Sequence, residues 1–164
     1  MLIDTPLLVV GRGPAALVVA KVTAGYGLAC LLVSHDLSDD EQPVPLEPDA
    51  VAALEGHGLF GILQPYLDAV APPTITPRAF EEVIKHHCVA DLNVTVYDQM
   101  AVVERTPVGP GLRGVLTDGT SRWDVSADLF VDATLLPADL SAAITAGAAA
   151  GLGALGTRGA ADSG

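Results

Sequence analysis

Four consecutive apolar residues, Leu7, Leu8, Val9 and Val10, lead into the turn Gly11-Arg12-Gly13-Pro14-Ala15-Ala16. The first run predicts a strand, 7–10. The alanine- and valine-rich stretch 14–25 predicts a helix, with Pro14 at a first-turn position where its missing N–H costs nothing. A second apolar run predicts a strand at 28–33. Residues 34–48 are polar, carry prolines and include Asp36, Asp39, Asp40 and Glu41, which reads as a surface loop. Helices are predicted at 49–55, at 59–69 and from Pro77 to Cys88, the last with Thr76 as its cap. Alternating Val94 and Val96 predict a strand at 93–97. Three short strands follow, at 101–105, 112–116 and 121–126, with the Asp118-Gly119 hairpin signal between the last two. A further apolar strand is predicted at 128–133. From Ser141 onward alanine and glycine dominate; the first part reads as helix and the last eight or so residues as disordered.

The start of this pattern is strand, glycine turn, helix, strand: the unit of a Rossmann-type dinucleotide-binding fold. Gly11 allows the tight turn off the strand. Gly13 removes a side chain where a pyrophosphate would approach the backbone, and small Ala16 replaces the third glycine at the helix–sheet contact. The free N–H groups at the helix start then face the anion. The predicted class is α/β, a Rossmann-like parallel sheet flanked by helices with a small antiparallel β-meander. The domain reading is one unit, 1–155, with 98–126 as a meander insertion and 156–164 as a disordered tail.

Composition narrows the partners. The chain has 164 residues, 50% of them hydrophobic but only 4% aromatic, so the core must be built from alanine, valine and leucine. Eight basic against 20 acidic residues give a formal net charge of -12. Nucleic acid and anionic membrane both demand a basic surface and are not expected as partners. A bound dinucleotide would have to be held mainly by backbone dipoles. The apolar runs 7–10 and 28–33 are strand-sized rather than membrane-sized. The N-terminus lacks a secretory pattern, and Cys30 and Cys88 form no C-x-x-C; a cytoplasmic protein is expected. A mean hydropathy of +0.45 suggests an interface with another chain or a second copy.

Four stretches, in order, resemble the FAD-binding part of the flavoprotein hydroxylases, the aromatic-ring monooxygenases of the glutathione-reductase-like superfamily. Val10-Gly11-Arg12-Gly13-Pro14-Ala15-Ala16 is similar to that family's opening glycine turn. Residues 46–59, with Leu54-Glu55-Gly56-His57-Gly58-Leu59, resemble its "Leu, two residues, Gly, Leu" helix end. Ile75-Thr76-Pro77-Arg78-Ala79-Phe80-Glu81 resembles its "Arg, two residues, Leu, Glu" helix start. Asp128-Leu129-Phe130-Val131-Asp132-Ala133-Thr134 resembles its strand end. The resemblance covers most of residues 6–136. It implies FAD as cofactor, ahead of NAD(P), with Gly11, Arg12, Gly13, Pro14, Ala15, Ala16, Ser34, Asp36, Arg78 and Asp132 as its contacts.

Departures from the family pattern accompany the matches. Ser34 stands where the family has the ribose-binding Glu, and Asp36 is close enough to substitute. Leu135 replaces a glycine. The sequence ends before the family's later Gly-Asp segment. Arg12 points out of the turn, toward a pyrophosphate or toward solvent. Arg78 either serves a ligand or pairs with Glu81, Glu82 or another acid. The pairs Asp39-Asp40 and Glu81-Glu82 read as solvated surface. His86 and His87 are adjacent on a helix, about 100° apart, and do not suit one metal ion. No side chain can be named as catalytic. Two functions follow: a flavin-dependent oxidoreductase or its cofactor-binding half, and a non-catalytic remnant kept as an interaction or scaffold module.

Overall fold

Strand β1 (Leu2–Val10) runs parallel to β2 (Cys30–Val33) on one side and to β8 (Arg122–Asp132) on the other. Its central place explains why 7–10 shows no alternation: Leu7 and Val9 pack into one core, Leu8 and Val10 into another. The structure, a computed structural model, describes residues 2–33, 36–68 and 71–163, with side chains through 159. With β5 (Val94–Tyr97), β6 (Ala101–Val108) and β7 (Gly111–Thr117) the sheet has six strands in the order β5-β2-β1-β8-β7-β6. The first four are parallel; β8, β7 and β6 form an antiparallel meander. A separate antiparallel pair joins β3 (Val44–Pro45) to β4 (Thr74–Ile75).

Among the described residues five α-helices complete the fold: α1 (Pro14–Gly25), α2 (Pro48–Gly56), α3 (Phe60–Leu63), α4 (Pro77–Ala90) and α5 (Leu140–Ser163). They share one core with the first face of the sheet. Helix α1 is apolar around its circumference because it is enclosed: the sheet, α4 and α5 all pack on it. The α1–α5 contact is made by glycines. A Cβ at Gly147 would sit 2.8 Å from the Ala15 carbonyl oxygen, and one at Gly151 would sit 3.0 Å from Val22. The second face holds its own cluster, drawn only from β1, β2, β6, β7 and β8 and their flanks. Leu8 and Val33 are fully buried there without a helical neighbour in the cluster, so the meander must coil back over the parallel strands.

The structure corrects several sequence expectations. The strands expected at 121–126 and 128–133 are one continuous strand, β8, whose first part, Arg122–Ala127, pairs with β7 and which pairs with β1 from Asp124 to Asp132 with a skip at Asp128. Through β8 the meander is continuous with the main sheet. The helix expected at 59–69 shrinks to α3 and a 3-10 turn, Gln64–Tyr66, in which Pro65 occupies an early position. Helix α5 continues to Ser163, through the stretch expected to be disordered. Its portion Leu140–Gly159, of mean hydropathy 1.4, is long and apolar enough to cross a membrane by length and composition, and 44% of it is buried against the rest of the chain. The start of this helix was expected, but alanine and glycine hid its length, because a face made of small residues has almost no amphipathic signature.

Candidate functional site

The site grows from the turn between β1 and α1. Gly11, at φ +149°, donates its N–H to the Val33 carbonyl at 3.2 Å. A Cβ there would lie 3.0 Å from backbone atoms of Ala133 and Thr134. Gly11 is thus fixed by the close passage of the chain leaving β8. Gly13 differs. It precedes the first helical residue at φ +83°, a conformation that favours glycine, and nothing lies within 4 Å of the position its Cβ would take. The missing side chain leaves open space in front of α1. Pro14 begins the helix, and Ala15 and Ala16 are buried behind it, with Ala16 at 0% exposure.

That open space is a cleft of about 720 Å³. Its walls are the Arg12–Pro14 turn, the 36–40 loop, the start of α4 and the segment from Ala133 to Leu140. Three helices begin at this cleft, with Pro14, Pro77 and Leu140 in its lining. Two of them are capped by side chains. The Thr76 hydroxyl accepts the Ala79 N–H at 3.0 Å for α4, and the Asp139 carboxylate accepts the Ala142 N–H at 3.2 Å for α5. Helix α1 has neither a side-chain cap nor an acidic residue in its first turn among the described residues. Its terminal N–H groups and the positive end of its dipole are what the cleft offers an anion.

The expected site residues divide. Arg12, Gly13, Pro14 and Asp36 line the cleft. Arg12 reaches Asp36 at 3.5 Å, both side chains being exposed at the rim. Ser34 lies outside the described residues. Arg78 is paired with acids: its guanidinium meets Glu82 at 2.8 Å and Asp39 at 3.5 Å, and its backbone N–H bonds the Asp40 carbonyl at 3.0 Å. The Glu82 hydrogen bond holds the Arg78 charge above its already high ordinary pKa. Arg78 clamps the acidic loop to α4 rather than lining the cleft. Asp132 also turns inward on the fold. It accepts the Thr134 N–H at 3.1 Å and meets Arg105 at 3.5 Å, shaping the turn after β8.

Sequence reading missed Glu81. Expected on the surface beside Glu82, it is fully buried and accepts the Ser38 N–H at 3.3 Å, so it holds the same loop from below. The signal was present: Phe80, Glu81, Ile84 and Cys88 form the buried stripe of α4. Asp139 and the 136–138 segment were missed as well, because only the fold brings the start of α5 to the glycine turn. The lining carries five carboxylates, Asp36, Asp39, Asp40, Glu81 and Asp139, against one guanidinium, Arg12. Among the described residues no group of three or more His, Cys, Asp or Glu is arranged to hold a metal ion.

No protein-family model and no curated protein matches the sequence. Solved structures do match the fold. The p-nitrophenol 4-monooxygenase PnpA from Pseudomonas putida DLL-E4 superposes with a TM-score of 0.67 at 14% identity, over 80% of this chain and 41% of that one. The flavin-dependent monooxygenase PieE, solved with FAD and substrate, gives 0.68 at 15% identity over 78% of this chain and 30% of its own. OxyS, an anhydrotetracycline hydroxylase from Streptomyces rimosus, gives 0.64 at 16% identity over 79% and 31%. The chain spans less than half the length of each. Its fold is shared with part of each of these monooxygenase and hydroxylase structures, 30–41% of their length.

Proposed function

We propose that this chain is the FAD-binding unit of a monooxygenase-type flavin oxidoreductase. The observation that carries the reading is the bare N-terminus of α1. Of three helices opening on one cleft, it is the one with no side-chain cap among the described residues, and the residue in front of it is a glycine with room where a Cβ would stand. A pyrophosphate supplies the missing acceptors there. The fold shared with FAD-dependent enzymes supports the same cofactor.

The residues fit the group at its pyrophosphate. The N–H groups of the first turn of α1 would bond the phosphate oxygens, and Arg12 at the rim would balance part of their charge. Asp36, on the same wall, would accept hydrogen bonds from ribose hydroxyls. Gly11 keeps the turn tight against Ala133 and Thr134, and Ala16 lets the helix lie close to the sheet. When bound, FAD supplies the redox chemistry. The carboxylates of the lining oppose the anion, so binding rests on oriented backbone dipoles. No observation favours the scaffold alternative.

Flavin content tests the reading. Protein purified in the presence of FAD, then freed of excess, is expected to keep a stoichiometric flavin absorbance. Colourless protein that also shows no thermal shift with FAD would remove the proposal.

A further inference from the structure

A second cavity, of about 500 Å³, lies away from the glycine turn, beside Pro6 of β1 and Leu28 just before β2. Backbone constraints form it. The β1–β8 ladder pairs Thr5 with Ala127 and Leu7 with Leu129 but skips Pro6 and Asp128, where proline has no N–H to donate. On the facing side the 109–111 turn is pinned by the Phe130 N–H, which bonds the Pro110 carbonyl at 3.0 Å. Gly111 lies so close to the Ala127 carbonyl that a Cβ has no room there. These walls are not side chains free to collapse into the space.

Three polar groups in the lining have no partner among the described residues. The Arg113 guanidinium and the Asp128 carboxylate form no ion pair, with each other or with another residue, and the Ser126 hydroxyl forms no hydrogen bond. Of the eight basic residues of the chain, six pair with acids. Arg158, which also borders the cavity, has an interaction of its own. Arg113 faces Ser126 directly across the β7–β8 ladder, and Asp128 stands two residues further along β8. That diagonal offset is about 7–8 Å. Two opposite charges are thus held close in one cavity without meeting. The remaining wall is apolar: Leu28, Leu112 and Leu129 are buried, and Val108 is 52% exposed.

We infer that this cavity binds a free α-amino acid with an aliphatic side chain. Its carboxylate meets Arg113 and the Ser126 hydroxyl, its ammonium meets Asp128, and its side chain lies against Leu28, Leu129 and Val108. Guanidinium matches a carboxylate through paired N–H donors. An ionised carboxylate only accepts, so Asp128 takes the ammonium. A simple anion would be opposed by Asp128 and a simple cation by Arg113; a molecule with both charges on one carbon satisfies both. The volume falls in the range of roughly 300–1,000 Å³ typical of small-molecule sites. The site is independent of the nucleotide reading.

Calorimetric titration of the whole chain with L-leucine tests the assignment. Isocaproate lacks its ammonium, isoamylamine lacks its carboxylate and glycine lacks its side chain. Leucine is expected to bind saturably at one site, and each of the other three at least about tenfold more weakly, an energy of about 1.4 kcal/mol. Arg113→Gln and Asp128→Asn, both at exposed positions, are expected to weaken leucine by a similar factor and leave the circular dichroism unchanged. Gly13→Asp is expected to leave leucine binding intact. Absence of saturable leucine binding, equal binding of any of the three counterparts, or wild-type affinity in either the Arg113 or the Asp128 variant would overturn the inference.

Discussion

Gly11 and Gly13 look alike in the sequence and do different work in the structure. Gly11 is required by the chain's own backbone, which passes 3.0 Å from where its Cβ would be. Gly13 is required by its φ of +83° and faces open space. The motif was legible, but this division was not, because it depends on where the end of β8 lies. Burial has a similar meaning for the thiols. Cys88 is pushed up to about 12 by burial, and Cys30 is raised further by burial and by its neighbour Cys88. Thiolate is the reactive form, so Ellman's reagent at pH 8 is expected to modify neither cysteine in the native protein and both in denaturant.

A second residue-scale expectation concerns Lys21 and Asp91, which meet at 2.9 Å and tie α1 to the end of α4. Burial opposes the Asp91 charge, but hydrogen bonds from Lys21 and the Asn93 N–H, with the Lys21 charge, bring its pKa below 3.8. A depressed carboxylate stabilises the fold above its unfolded pKa, and that contribution is lost as pH falls through the folded value. Asp91→Asn is expected to cost about 1 kcal/mol at neutral pH in urea unfolding. The difference from wild type should shrink as pH falls through the lowered folded-state pKa of Asp91.

At the scale of elements, the pairing of α1 with α5 organises the helical layer, and it is a contact between small residues. Gly147 faces Ala15 and Val18 with no room for a methyl group, whereas Gly156 meets nothing within 4 Å. Gly147→Ala is expected to destabilise by about 1–3 kcal/mol through overpacking. Gly156→Ala should be neutral or stabilising by up to about 1 kcal/mol, since only helix propensity changes. Thermal unfolding of the two variants side by side checks the difference, and equal effects would argue against the close crossing. Elements with strong local signals were legible: α1 matches its expected bounds, and the Thr76 cap is in place. Those set by long-range pairing were not. Neither the joining of 121–126 with 128–133 into β8 nor the length of α5 has a local signature, because the first follows from pairing with β1 and the second from packing on α1.

Across the whole molecule, charge is divided unevenly. The cleft before α1 is lined by five carboxylates and one guanidinium. An anionic dinucleotide approaching a chain of net charge -12 is repelled at long range and attracted only at the helix end. Salt screens the long-range part first, with a Debye length of about 10 Å at 0.1 M. FAD affinity is therefore expected to rise as ionic strength increases from low values, opposite to the behaviour of a basic phosphate pocket. A titration series in sodium chloride checks the sign. Composition made the acidic balance legible from the start, but its concentration around the glycine turn appears only once α4 and α5 bring Glu81 and Asp139 there.

The central claim is that the bare end of α1 holds a dinucleotide phosphate, and flavin fluorescence during titration with wild type and Gly13→Asp tests it most directly. Wild type is expected to change the FAD signal saturably at one site per chain, and to gain about 2.7 kcal/mol of unfolding free energy at one hundred times the dissociation constant. Gly13→Asp, which places a carboxylate in the open space before the helix, should lose both effects and still fold. Equal FAD binding by the two proteins, or none by wild type, would contradict the account.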